Sequence, residues 1–71
     1  MKVYCSIVVG QEIDGKNVVV KIEKASVDKS KIEAMQSLKN PWTENFQVPD
    51  GNVKMLFQRN FQEFEVDDAT S

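Results

Sequence analysis

The side chains best suited to chemistry in this 71-residue sequence are carboxylates and one thiol. Glu63, Glu65, Asp67 and Asp68 crowd the C-terminal end, and Cys5 is the single cysteine. Paired carboxylates can divide acid and base roles when their surroundings push their pKa values apart. Glu63 and Glu65, however, share a strand parity opposite Phe64 and Val66, which predicts a solvent-facing pair with ordinary acidity. A nucleophilic cysteine needs a neighbouring base or positive charge to form its thiolate. The chain contains no histidine, and Cys5 falls in the inward set of an apolar run, where a thiol is a small hydrophobe. One thiol without an imidazole excludes zinc and most transition-metal sites, and no EF-hand spacing of acids occurs. Neither a P-loop nor a dinucleotide fingerprint is present, and the glycines at 10, 15 and 51 serve turns. The reading is of a chain that is not an enzyme and carries no cofactor and no metal.

Binding chemistry is better represented. Trp42 follows Pro41, and Phe46 comes four residues later. Tryptophan anchors interfaces, and in a small domain it equally plugs the open end of a core, so both roles stand. The acidic group Glu63, Glu65, Asp67 and Asp68 reads either as a surface for a basic protein or as charge guarding a strand edge. These six residues are the candidate protein interface. Phe57, Arg59 and Phe61 alternate as a base-stacking platform would, but a domain this small needs those rings in its core. A net charge of −2 does not steer the molecule toward nucleic acid.

The elements that must position these residues begin with a hairpin. Asp14-Gly15 sits between two runs rich in β-branched residues, the strongest short-range hairpin signal, and predicts a two-residue type I′ turn. Val3, Cys5, Ile7 and Val9 share one parity, as do Val18, Val20 and Ile22 on the return strand 17–24, giving one buried and one wet face. Gly10 marks a bulge or twist. From Ser26 or Asp28 to about Leu38 the period changes, with Ile32, Met35 and Leu38 at three-residue steps. A helix of about three turns follows, capped by Ser26 or by a Ser30–Glu33 box and ended by Asn40-Pro41. Residues 41–52 are irregular apart from a Pro49-Asp50-Gly51 turn and a short strand at 46–48. In the segment 53–66, Val53, Met55, Phe57 and Phe61 occupy one parity and Leu56, Phe64 and Val66 the other, which predicts a β-bulge or break near Arg59-Asn60.

The predicted fold is thus α+β: a small antiparallel sheet, made of a β-hairpin and C-terminal strands, with one α-helix packed on one face. Its core would hold Val3, Cys5, Ile7, Val18, Val20, Ile22, Ile32, Met35, Leu38, Phe57 and Phe64. Residues 1–68 form one domain and 69–71 a disordered tail. Such a short chain buries roughly 60% of its unfolded surface, so a homodimer would supply missing burial. No apolar run is long enough to span a membrane or serve as a signal peptide, and a lone thiol fits the cytoplasm.

The start Met-Lys-Val-Tyr, the block Asp-Gly-Lys-Asn-Val-Val-Val-Lys-Ile-Glu-Lys-Ala-Ser-Val-Asp-Lys, the Trp42-Thr43-Glu44 loop and the ending Phe-Glu-Val-Asp resemble small uncharacterised proteins of tailed phages and prophages. That family brings no catalytic or binding motif. The resemblance implies a non-enzymatic accessory protein that binds a host or phage protein in the bacterial cytoplasm. The alternatives are a nucleic-acid-binding module using the helix lysines and a purely structural homodimer.

Overall fold

A computed structural model describes residues 1–67. The strands are β1 (Lys2–Glu12), β2 (Val18–Ser26), β3 (Trp42–Val48) and β4 (Gly51–Glu65), with one helix, α1 (Lys29–Met35), between β2 and β3. They form a curled four-stranded antiparallel half-barrel in the order β2-β1-β4-β3. Strands account for 63% of the described residues and helix for 10%, so the molecule is nearly all-β and the α+β expectation fails. The helix is about two turns rather than three. It packs chiefly against β1 and β2, and Ile32 is its one buried residue. Leu38, expected in the core, lies beyond its end and is 52% exposed. Asp28 is the N-cap, its carboxylate accepting from the Ser30 amide at 3.0 Å. Ser26, the favoured cap on sequence, instead accepts from the Asp28 amide.

The first hairpin forms where Asp14-Gly15 places it, but not through a type I′ turn. Neither residue has positive φ, and the connection runs over 13–17. The Glu12 amide donates to the Asn17 carbonyl at 2.9 Å, and the Asn17 amide side chain donates to the Glu12 carboxylate at 2.8 Å. The second hairpin keeps its Pro49-Asp50 turn, and Gly51, at φ 138°, takes the positive-φ position. Its first strand starts at Trp42 rather than Phe46.

Register settles the faces. β4 pairs with β1 without interruption from Lys2↔Glu65 to Glu12↔Met55, so no bulge lies at Arg59-Asn60. The bulge is in β2, where the register shifts between Ser6 and Ile7 and leaves Glu23 as the extra residue. Gly10 is an ordinary ladder position opposite Phe57. A Cβ there would overlap the Phe57 ring, 2.7 Å from its Cδ1 and nearer still to Cε1. Glycine is needed because an aromatic ring lies on its backbone, a reason sequence alone does not distinguish from a bulge.

One face therefore carries Tyr4, Ser6, Val8 and Gly10 of β1, beside Phe61, Arg59, Phe57 and Met55 of β4 and Trp42 and Phe46 of β3. The crossover from β2 to β3 passes over this face. Gln36, just past α1, donates to the Ser6 hydroxyl at 3.1 Å, and Arg59 donates to the Lys39 carbonyl at 2.8 Å. The aliphatic and aromatic cluster of Val8, Met55 and Phe57, flanked by Trp42 and Val53, lies here. The other face carries Val3, Cys5, Ile7 and Val9 beside Ile22, Val20 and Val18, and no strand or helix among the described residues is packed over it. The residues assigned to a shared face do share it, but it is the wrong face for a core. Val18, Val20, Ile22 and Phe64 are exposed there, whereas Cys5 is buried between its register neighbours Ala25 and Gln62.

Candidate protein interface

The expected site residues do not converge. Trp42 and Phe46 stand on β3, an edge strand, rather than in a loop. The Trp42 indole stacks on Phe57 with centroids 5.4 Å apart and planes 17° apart, and its Nε1 donates to Glu44 at 3.0 Å. Phe46 meets the same Phe57 ring edge-on at 6.3 Å but stays exposed. Trp42 is thus chiefly a half-buried wall of the core. Glu63 pairs with Lys2 at 3.5 Å and Glu65 with the Met1 amino group at 3.0 Å. Glu63 lies six residues along β4 from Phe57, the partner of Trp42, a separation of about 20 Å at strand rise. Asp67 follows β4 and is exposed, and Asp68, like the 69–71 tail, lies outside the described residues.

The densest polar cluster is one that sequence reading overlooked. Arg59, with a side chain only 8% exposed, donates through Nε and Nη2 to the two Glu23 oxygens at 2.8 and 3.0 Å. Its guanidinium carbon sits 4.4 Å above the Trp42 ring. Ser6, fully buried, donates to Glu23 at 3.0 Å while accepting from Gln36. Asn40 clasps the Arg59 backbone, donating to its carbonyl and accepting from its amide, both at 2.9 Å. The β2 bulge is what turns Glu23 toward Ser6. The Arg59 hydrogen bonds hold the Glu23 carboxyl below its ordinary value of 4.5 against the opposing effect of burial. A carboxylate so lowered and so fully engaged is a fastener and a poor proton acceptor. Its chemistry is spent on pinning the 36–42 crossover to the sheet.

Two shallow grooves lie near the first hairpin's tip, of about 240 and 220 Å³. Gln11, Glu12, Ile13 and Leu56 line one; Ile13, Thr43, Glu44, Asn45 and Lys54 line the other. Neither pairs a nucleophile with a base. Among the described residues no group of His, Cys, Asp or Glu is placed to hold a metal, and no helix is long and apolar enough to cross a membrane.

The uncovered sheet face is of a different kind. Ile7 pairs with Ile22 and Val9 with Val20, and Val18 continues the row, making an apolar band across β1 and β2. Val20 and Ile22 are 64% and 63% exposed. Beyond the band the same face carries amides and a hydroxyl: Gln58, Asn60, Gln62, Thr43, Asn45 and Gln47. Among the described, paired strand residues, Lys54 is the one charge on that face. The opposite face holds Lys2, Glu12, Lys21, Glu23, Lys24, Glu44, Arg59, Glu63 and Glu65. In a chain that is 28% charged, the two faces of the sheet are thus sharply sorted by charge. The signal available in sequence was the parity switch from Phe57 and Phe61 to Phe64 and Val66, which records two apolar faces rather than a break. Comparison of the chain with protein-family models, curated proteins and solved structures finds no match.

Proposed function

We propose that this protein is a non-enzymatic binding module that docks onto protein through its uncovered sheet face. The observation that carries the reading is the near absence of charge around the Ile7–Ile22 and Val9–Val20 rows. Nucleic-acid surfaces require clustered lysine and arginine, whereas interface centres are depleted of charge and rich in apolar area. Large exposed apolar patches on monomers mark such docking sites. An accessory role in the cytoplasm of a bacterial cell accords with the resemblance to phage and prophage proteins. The six residues Trp42, Phe46, Glu63, Glu65, Asp67 and Asp68 are then peripheral to docking. Photo-crosslinking in living bacteria tests this. A benzophenone side chain at position 20 should capture protein, while the same probe at Lys21, on the opposite face, should capture far less. Equal capture at both positions, or a low-salt gel shift with nucleic acid that fades as salt rises, would refute it.

A further inference from the structure

Resting on that reading, we infer that the protein docked on the open face is a second copy of this chain, packed sheet against sheet about a twofold axis.

The area points there first. A compact monomer of this mass, 8.1 kDa, exposes about 4,500 Å², yet this chain exposes 5379 Å². Its radius of gyration is 15.4 Å, against about 11 Å for a compact domain of its length. The molecule is a slab of 51 × 27 × 16 Å, half a fold with one side unlidded. The surplus surface is close to the ~800 Å² each partner contributes to a standard interface.

Charge decides between a copy and a stranger. A twofold interface sets each patch against itself, so a patch bearing like charges repels its mate. The band of Ile7, Val9, Val18, Val20 and Ile22 has none, and the surrounding amides both donate and accept, which lets them pair across a twofold axis. Lys54 sits on β4 near the second hairpin's turn, away from β2. Two curled sheets meet along a band rather than across a whole face, and the apolar residues are laid out as a band.

Need is the third ground. Among the described residues the buried apolar side chains are Cys5, Val8, Ile32, Met55 and Phe57, a thin core for a four-stranded sheet. The cover must be present whenever the chain folds, and a copy always is. Pairing along strand edges is the weaker route. Lys21, Lys24 and the Glu23 bulge guard β2, and Pro41 and Pro49 bracket β3.

Light scattering on the full chain, across a hundredfold range of concentration, should give twice the mass of one chain. A sample mixed from isotope-labelled and unlabelled chains should show intermolecular contacts at the Val18, Val20 and Ile22 methyls. Val20→Lys should weaken the dimer roughly 100-fold, because it buries an unpaired charge on each side; that side chain is exposed in a lone chain, so the wild-type contacts remain decisive if the variant does not fold. A dimer whose contacts map to strand-edge amides or to Trp42 and Phe46 would overturn the inference. So would a single-chain mass throughout. If that monomer binds a hydrophobic dye and Val20→Lys abolishes binding, the docking face survives with another occupant; if no dye binds, both readings fall.

Discussion

Replacing Arg59 with alanine tests whether the crossover is held by the cluster described above. Arg59 gives two hydrogen bonds to Glu23, one to the Lys39 carbonyl, and a cation–π contact with Trp42. Hydrogen bonds to charged groups contribute roughly 1.5–3 kcal/mol net, and a cation–π contact about 0.5–1 kcal/mol. These are not additive, and Glu23, with a side chain 24% exposed, regains some water when its partner goes. A net loss of about 2–3 kcal/mol is expected. A domain of this length has about 4–10 kcal/mol in total, so the melting point should fall by roughly 10–20 °C. Urea unfolding at one fixed protein concentration, followed by the fluorescence of Trp42, reads this directly, since Trp42 is the single tryptophan. A double-mutant cycle with Glu23→Gln should give a coupling above about 1 kcal/mol, beyond the range of exposed pairs. The pair also sets an acid dependence. Because folding lowers the Glu23 pKa from 4.5, its contribution is complete above about pH 4.5 and fades as pH falls through the folded value. The stability gap between wild type and Arg59→Ala should therefore hold steady above about pH 4.5 and narrow as the pH falls below it. A loss under about 0.5 kcal/mol, the size of an ordinary surface substitution, or a gap that does not respond to acid, refutes the reasoning.

Two further outcomes are expected from the same unfolding assay. Gly10→Ala forces a methyl into the Phe57 ring and should cost about 1–3 kcal/mol by overpacking; adding Phe57→Leu should cost less than the two changes summed, because the shrunken ring position relieves the overlap. Along the helix region, Leu38→Asp should lie within about 0.5 kcal/mol of wild type, whereas Ile32→Ala should cost roughly 2–5 kcal/mol, since Leu38 faces water and Ile32 does not.

Local chemistry was readable along this chain, while the choice of face was not. The Pro49-Asp50-Gly51 turn follows from backbone preferences of single residues and forms, whereas the first hairpin forms at the expected place through a longer 13–17 connection without positive φ at Asp14 or Gly15. The period-2 alternation in β1 and β2 correctly grouped Ile7, Val9, Val20 and Ile22. Alternation, though, says only which residues lie together. Which side the helix covers is set by where the crossover is tied down, and that depends on Arg59, Glu23 and Ser6 meeting from three strand segments far apart in the chain. The full length of β3 is hidden in the sequence because Trp42, Glu44 and Phe46 interleave an acid with the aromatics, which masks a period of two. The helix ends short of its apolar spacing because Leu38 continues the three-residue step beyond the point where the chain is packed on the sheet. The ion pairs of Glu63 and Glu65 are not legible in the sequence, because their cations, Lys2 and the Met1 amino group, stand at the opposite end of the chain.

The strand order has a consequence for how the molecule comes into being. Of the four strands β1 is made first, and it ends up central, flanked by β2 on one side and β4 on the other. Its neighbour across the Lys2↔Glu65 pairing is the last of the four to be made. Each hairpin, β1–β2 and β3–β4, closes over a short loop, so both can assemble early as separate ribbons. The long seam between them must wait until β4 has been made. Until then the nascent chain carries a bare central strand, and its emergence into a native shape is a single late zippering of two halves.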